Sequence, residues 1–217
     1  MFVAHGQPSP GVAEVQVRFE WYPGFSLAQR RKSIRALHAA ALPLTGVPVL
    51  EVSSKSEDEL GVALSAFNLR VVHPSAGRIP LESAFQGSKV FAEGGPFLDL
   101  LQKPPSVAKR DRRVRGSGTL VAFRVGEEEW PTTPLTAFYD WLYLGALRAD
   151  ELLAARVVEY RAFSDIEFNP RRSINCQARS CALFVALSLG EALDEALLSK
   201  DRFLAQAERA YVSKAVT

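Results

Sequence analysis

The sequence has few of the residues that build disulfide frameworks or metal sites. It contains two cysteines, three histidines and one methionine among 217 residues. His5, His38 and His73 are so widely separated that they match no zinc or iron ligand spacing, and we expect no metal and no cofactor. Two cysteines cannot form a disulfide framework, and such a composition is typical of proteins in a reducing compartment such as the cytoplasm.

Long apolar segments are also missing. The longest apolar runs, residues 47–52 and 182–189, are much shorter than the ~20 residues that a membrane-spanning helix requires. The first eleven residues have neither a basic head nor an apolar core, so we expect no signal peptide. These absences favour a cytoplasmic protein that does not enter a membrane.

What the sequence does contain fits one α+β domain. Its length and a hydrophobic content of 47% are enough for a sizeable core. Patterns typical of strands are few and patterns typical of helices are many, so we expect a single, mostly helical domain with a small sheet. Residues 1–14 have little apolar content and two prolines, Pro8 and Pro10, which predicts a flexible N-terminus before a domain at 15–217.

Periodicity predicts the main elements of this domain. Alternating or continuous apolar residues predict strands at 15–21, 47–52, 69–73, 120–125 and 157–161. A stripe of Leu27, Ile34, Leu37 and Ala41 behind a capping Ser26 predicts a helix that ends near residue 41. Further helices are predicted at 81–92, 97–102 and 134–147, and over most of the chain after residue 175.

The formal net charge of +2 conceals clusters of basic residues. One cluster, at 30–35, contains Arg30, Arg31, Lys32 and Arg35. The other, called the basic segment below, is residues 103–115, which contain six basic residues and one acid. Because it contains no aromatic residue, it suits phosphate contacts better than base stacking, although a solvated loop is the commoner alternative. The candidate nucleic-acid-binding residues are Lys109, Arg110, Arg112, Arg113 and Arg115.

The predicted helix at 81–92 carries the most informative polar pattern. Glu82, Gln86 and Lys89 are spaced i, i+4 and i+7, which places a carboxylate, an amide and an amine on one face over two turns. Such a stripe can line a polar cleft. Glu, Gln and Lys at this spacing are also common on solvated helix faces, so the pattern alone does not decide between the two.

The preceding segment, Leu64-Ser65-Ala66-Phe67-Asn68, gives this pattern a context. Together the two segments resemble the NADAR superfamily, which includes the YbiA-like N-glycosidases. Those proteins carry an L/F-S-N-F element, about fifteen residues, and then E-H-x-x-Q-x-x-K on a helix. Here Ala66 replaces the asparagine and Ser83 replaces the histidine. Residues 173–175 look similar to the family's Asn-containing helix start. The resemblance implies a YbiA-like fold.

Four more segments extend the resemblance to one branch of the superfamily. Residues 19–26, 51–56, 137–142 and 165–170 resemble the NADAR antitoxins that are paired with DarT-type toxins, which modify DNA. This resemblance implies a hydrolase that removes ADP-ribose from guanine in DNA. It also implies three partners: ADP-ribosylated DNA, ADP-ribose and a cognate DarT-type toxin. ADP-ribose would then be a substrate moiety and not a cofactor.

The residue types fit that chemistry. Cleavage of a base from ribose passes through an oxocarbenium-like centre and needs a nearby carboxylate, which Glu82 can supply. A neutral lysine can attack the anomeric carbon and form an imine. Lys32 and Lys89 are both candidates, with a slight preference for Lys32 because arginines surround it in sequence; Lys55 is the third.

Candidate ligand-binding residues come from the matched segments, and each has a structural alternative. Aromatic residues can be core, Asp140 can be a structural pair, and Asn175 can be a helix cap. Residues 165, 167 and 169 alternate on an extended run and can share a solvated face. The candidates are Lys55, Asn68, Gln86, Tyr139, Asp140, Trp141, Asp165, Glu167, Asn169 and Asn175.

Two other functions remain open at the level of sequence. One is N-glycosidase activity on phosphorylated riboflavin intermediates, which the N-terminal element and the basic segment disfavour. The other is a non-catalytic antitoxin that binds modified DNA or the toxin, which the presence of Glu82 with Lys32 and Lys89 disfavours.

Overall fold

The computed structural model describes residues 1–6, 10–169 and 173–212. Its helices and small sheets confirm the predicted α+β class. The strands are β1 Phe2–His5, β2 Gly11–Glu14, β3 Val49–Glu51, β4 Arg70–His73, β5 Gly77–Pro80, β6 Lys89–Phe91, β7 Leu120–Val125, β8 Glu128–Trp130 and β9 Ala162–Ser164. The helices are α1 Leu27–Thr45, α2 Glu59–Ala63, α3 Leu81–Gly87, α4 Pro105–Ala108, α5 Arg113–Gly116, α6 Ala137–Arg148, α7 Glu151–Val157, α8 Gln177–Leu189, α9 Leu193–Leu197 and α10 Lys200–Val212, with a 3-10 helix at Leu98–Gln102. Within the described ranges, none of these helices combines the length and apolarity needed to cross a membrane.

The chain divides into two compact units, of which the first comprises Met1–Ser65 and Asp150–Thr217. Its centre is a four-stranded sheet in the order β2-β1-β9-β3. β1 pairs antiparallel with β2 and β9, whereas β3 and β9 run parallel. Helix α8 packs on β1, β2 and β9 and is buried along most of its length. A helix that is apolar on all sides is expected in such a central position.

Helix α1 of the first unit follows its predicted stripe closely. Ile34, Leu37 and Ala41 are buried, but the first member of the predicted stripe, Leu27, is exposed. Ser26 Oγ accepts the N–H of Gln29 at 3.3 Å, as expected for a helix cap. The helix continues to Thr45, further than predicted, and ends at a left-handed glycine.

The second unit is Ala66–Ala149. It contains the β4–β5 hairpin, helix α3 and the antiparallel sheet β6-β7-β8. Its core is aromatic: the rings of Phe123 and Phe138 stack with centroids 4.5 Å apart, and Trp130 packs on Phe138 at 5.7 Å. This core lies directly behind α3, because Phe85 of that helix contacts Phe123 at 5.5 Å.

Several sequence predictions are wrong in local detail. Residues 15–21 form no strand; Val17 and Phe19 instead pack irregularly against the Ile34 and Leu37 cluster. The predicted strand at 157–161 is displaced, because α7 continues to Val157 and the strand is β9. In the predicted flexible N-terminus, residues 2–5 and 11–14 pair as β1 and β2, and Phe2, Ala4 and Val12 are buried.

Candidate active site

The hairpin β4–β5 delivers the chain directly into helix α3. Pro80 ends β5 and precedes the first helical residue, a position where its missing N–H costs nothing. The N–H of Glu82 then donates to the carbonyl of Ala66 at 3.0 Å. The two segments on which the family resemblance rests therefore meet at Glu82. Asn68, a predicted ligand-binding residue, is exposed two positions beyond Ala66.

Glu82, Gln86 and Lys89 form a continuous polar chain. Gln86 Nε2 donates to Glu82 Oε1 at 2.9 Å, and Lys89 Nζ donates to Gln86 Oε1 at 2.8 Å. Glu82 and Gln86 are each 5% exposed. Helix α3 ends at Gly87, earlier than predicted, so Lys89 begins strand β6. The three side chains are nevertheless joined, and they are not a solvated helix face.

Lys109 of the basic segment also reaches this chain. Its ammonium is 3.7 Å from Glu82 Oε1 and 5.6 Å from the centre of the Phe67 ring. The hydroxyl of Ser83 donates to the carbonyl of Lys103 at 2.8 Å and ties the same segment to α3. The packing of α4 against α3 therefore brings part of the predicted nucleic-acid-binding segment beside Glu82.

These surroundings lower the pKa of Lys89 from its ordinary 10.5 to about 8. Burial of the ammonium is the largest cause, and the positive charge of Lys109 acts in the same direction, while Glu82 opposes them. The ammonium also lies 4.6 Å from the centre of the Phe85 ring, a cation–π contact that offsets only part of the lost hydration. Lys89 thus has the environment that a nucleophilic amine requires.

Helix α6 supplies the aromatic and acidic candidates of the second unit. Tyr139 is buried and packs edge-on against Phe85, with centroids 5.1 Å apart. Trp141 is half-buried and packs on Trp130 at 4.6 Å. Asp140 is buried and accepts the hydroxyl of Thr136 at 2.9 Å. Tyr139 therefore lies one layer behind Lys89, and Trp141 and Asp140 have the structural contacts that we weighed as alternatives.

The arginines of the basic segment divide into two groups. Arg113 is held by Asp99, with Nη2 to Oδ2 at 2.7 Å, and by Asp111, with Nε to Oδ1 at 3.0 Å. Two carboxylates already neutralise it, so it is a poor choice for a phosphate contact. Among the described residues, the exposed arginines of the segment without a carboxylate partner are Arg110, Arg112 and Arg115.

The other two candidate lysines belong to the first unit. Lys32 is exposed on α1, with its ammonium 5.8 Å from the Tyr22 ring. The neighbouring arginines that favoured it in sequence face elsewhere: Arg31 donates to the Ser56 carbonyl at 3.3 Å, and the others pair with acids. Lys55 is half-buried in the turn after β3. Adjacency in sequence therefore does not concentrate positive charge at Lys32.

Residues 165–169 form a turn and not the predicted extended face, because the N–H of Phe168 donates to the carbonyl of Asp165. Asp165 lines a cavity of about 450 Å³. Burial and the nearby carboxyl of Glu51 raise its pKa from 3.8 to about 7. Glu167 and Asn169 are exposed, and Glu167 pairs with Arg30 at 3.4 Å. The three polar residues therefore do not share one solvated face.

Asn175 is not the helix cap that we expected. Helix α8 begins at Gln177, and Cys176 occupies the cap position without a side-chain hydrogen bond. The side-chain oxygen of Asn175 is buried and has no hydrogen-bond partner among the described residues. Arg171 and Arg172, which precede it in sequence, lie outside the described residues.

Comparison with known families resolves what kind of protein carries this arrangement. Residues 1–216 match the family model of the DarT1-associated NADAR antitoxins. The chain belongs to this family. Membership gives the NADAR antitoxin an antitoxin role, a DarT toxin as partner and N-glycosidase-type activity in general. No curated protein matches the chain.

The NADAR antitoxin also contains a buried acid that is not among the predicted site residues. Glu51 is 2% exposed and accepts hydrogen bonds from Ser53 Oγ at 2.7 Å, Ser164 Oγ at 2.5 Å and the N–H of Ile166 at 2.8 Å. Burial raises the pKa of this carboxyl. The sequence feature that could have identified Glu51 is its place as the single acid in the apolar run 47–52, because a charge in a buried strand requires several hydrogen-bond partners.

Proposed function

We propose that this antitoxin hydrolyses the bond between ADP-ribose and guanine in DNA and so reverses the modification made by its DarT toxin. The observation that carries the proposal is the chain Glu82–Gln86–Lys89, in which a buried carboxylate and a lysine of lowered pKa share one amide. The carboxylate and the amine of the proposed reaction are thus linked through a single side-chain amide.

Lys89 is the nucleophile in this proposal, in preference to Lys32 and Lys55. With a pKa of about 8, roughly a tenth of the amine is neutral at pH 7, compared with about 0.03% at the ordinary value. Lys32, by contrast, is exposed to solvent. Water around an ammonium stabilises its charged form, so burial is the property that separates the two lysines.

The reaction would proceed in two stages. Lys89 Nζ attacks the anomeric carbon of the distal ribose while the bond from that carbon to the guanine amino nitrogen breaks. Glu82, as a carboxylate, takes the surplus proton of the attacking amine and delivers it to the departing nitrogen. Opening of the ribose ring gives an imine, and water adds to it to release ADP-ribose and restore Lys89.

The remaining candidates bind the substrate in this proposal. Gln86 fixes the relative positions of Glu82 and Lys89. Lys109 places a positive charge beside the reacting groups, where it opposes protonation of Lys89 and attracts an anionic substrate. The predicted ADP-ribose contacts of the first unit, namely Lys55, Asp165, Glu167, Asn169 and Asn175, stay predictions. The chemistry calls for no cofactor.

A direct experiment is mass spectrometry of an oligonucleotide with one ADP-ribosylated guanine, before and after incubation with the protein. We expect the oligonucleotide to lose the mass of the ADP-ribosyl group and return to unmodified guanine. Glu82→Gln should abolish this loss, because an amide keeps the shape and the hydrogen bond from Gln86 but cannot exchange the proton. Glu127→Gln, at an exposed carboxyl of the β7–β8 turn, is the matched control and should remain active.

The same assay separates the alternative functions. A non-catalytic antitoxin would bind the modified oligonucleotide and leave its mass unchanged. An enzyme for phosphorylated riboflavin intermediates would cleave those compounds and leave the oligonucleotide intact. Turnover by Glu82→Gln within threefold of the unaltered protein would remove Glu82 from the mechanism.

A further inference from the structure

An aromatic cluster on the first unit remains unused by the proposed chemistry. Phe25 is 95% exposed and Trp21 is 46% exposed, and they flank a tight turn at Pro23-Gly24. Single exposed apolar residues are ordinary on protein surfaces, but two large neighbouring rings are not. This exposed pair requires an explanation other than packing.

One cation contacts both rings. The guanidinium carbon of Arg30 is 5.2 Å from the centre of the Trp21 ring and 5.9 Å from that of Phe25. Both distances are within the range of cation–π attraction. Arg30 Nε also pairs with Glu167 at 3.4 Å, which fixes the guanidinium in place. Trp21, Phe25 and Arg30 together are called the aromatic platform below.

The backbone holds the platform in a defined shape. Ser33, buried on α1, accepts the N–H of Tyr22 at 3.0 Å and donates to the carbonyl of the same residue at 3.3 Å. Gly24 adopts a φ of +132°, which other residues rarely adopt, and a Cβ there would meet Gln29 Cγ at 3.2 Å. The backbone of the turn is therefore already ordered, which lowers the entropic cost of binding at its rings.

We infer that the aromatic platform stacks an unpaired nucleobase of a polynucleotide strand. Exposed aromatic rings beside positive charge are the usual means by which proteins hold single-stranded nucleic acid, because every base has a face to stack and every linkage a phosphate to neutralise. The exposed ammonium of Lys32, close to the Tyr22 ring, supplies the adjacent charge. The inference rests on the proposed function for its class of partner, DNA.

Intrinsic fluorescence tests the inference directly. The chain has three tryptophans, of which Trp130 is fully buried, Trp141 is half-buried and Trp21 is exposed. An unmodified single-stranded oligonucleotide should quench Trp21, because a stacked base quenches indole emission. An abasic strand of equal length, which keeps the phosphates and lacks the bases, should not. Trp21→Phe should remove the quenching and retain most of the affinity, since phenylalanine also stacks.

Affinity measurements on variants complete the test. Trp21→Ala and Phe25→Ala should each weaken binding of the oligonucleotide by roughly 5- to 150-fold. Leu152→Ala is the matched control, because Leu152 is an exposed apolar residue on α7, 80% accessible, and its loss should leave affinity unchanged. Circular dichroism of each variant should match the unaltered protein, since the substituted rings are exposed.

The opposing outcomes are distinct. Equal quenching by the abasic strand, or none by either strand, would overturn the inference. Quenching by ADP-ribose alone would mean that the platform binds the adenine of the substrate. Quenching by a DarT toxin alone would mean that it binds the toxin. Either result would overturn stacking of a strand base. Cleavage of modified guanine without quenching would refute base stacking on the platform and leave the proposed function standing. Quenching without cleavage would refute the proposed function and leave base stacking standing.

Discussion

Lys89 is expected to lose its proton near pH 8, well below an ordinary lysine. The lowering of its pKa from 10.5 to about 8 corresponds to roughly 3 kcal/mol of extra cost for the charged form, and it raises the neutral fraction at pH 7 by about 300-fold. Activity that depends on the neutral amine should rise nearly tenfold from pH 6 to pH 7 and level off above pH 8.

Competitive labelling measures this pKa without any substrate. An amine reagent in trace amount is added at a series of pH values, and peptide mass spectrometry gives the extent of reaction at Lys89 relative to a model peptide. Only neutral amines react, so the labelling curve reports the titration of that residue. The cleavage rate of a modified oligonucleotide, measured over the same range, should have the same inflection.

Two variants should move the inflection of the labelling curve in opposite directions. Lys109→Ala removes a positive charge that disfavours the ammonium, so the pKa of Lys89 should rise. Glu82→Gln removes the negative charge that stabilises the ammonium, so the pKa should fall. An inflection above pH 9.5 in the unaltered protein, or shifts in the same direction for both variants, would refute the electrostatic reasoning.

Three further predictions follow from the same geometry. Borohydride added during turnover should trap ADP-ribose on Lys89, and Lys89→Met should abolish the adduct whereas Lys32→Met should not; an adduct on Lys32 would reverse the assignment. Neutralising the exposed arginines Arg110, Arg112 and Arg115 together should weaken binding to modified DNA, while free ADP-ribosyl-guanosine should still be cleaved. The slope of log K against log salt should flatten by about 0.7 per lost contact on single strands, or about 0.9 on duplex. Equal loss of activity on both substrates would contradict a phosphate role. Asp165→Asn should raise the free energy of unfolding at pH 8 by roughly a few kcal/mol and change it little at pH 4. The pKa of this carboxyl is raised from 3.8 to about 7 in the folded protein, so its ionisation destabilises the native state as the pH rises through that window. Urea unfolding at both pH values measures the difference.

Local sequence patterns determined the elements with a strong period and a clear start or stop. The buried stripe of α1 repeats every three to four residues behind a capping serine, so its face was predictable. Glu82 and Gln86 were predictable as neighbours because four residues on a helix return to the same face. The order of short motifs along the chain was enough to identify the family, which the match over residues 1–216 confirms.

The tertiary structure decided which side chains are buried and therefore which are chemically altered. Lys32 and Lys89 are the same residue type, and the arginines next to Lys32 in sequence do not surround its side chain, because sequence adjacency does not fix side-chain direction. Packing of α4 against α3 brought Lys109 to Glu82 across 27 residues of sequence, a contact with no local signal. Desolvation is a property of the whole surrounding shell, so the lowered pKa of Lys89 exists only once that shell has formed.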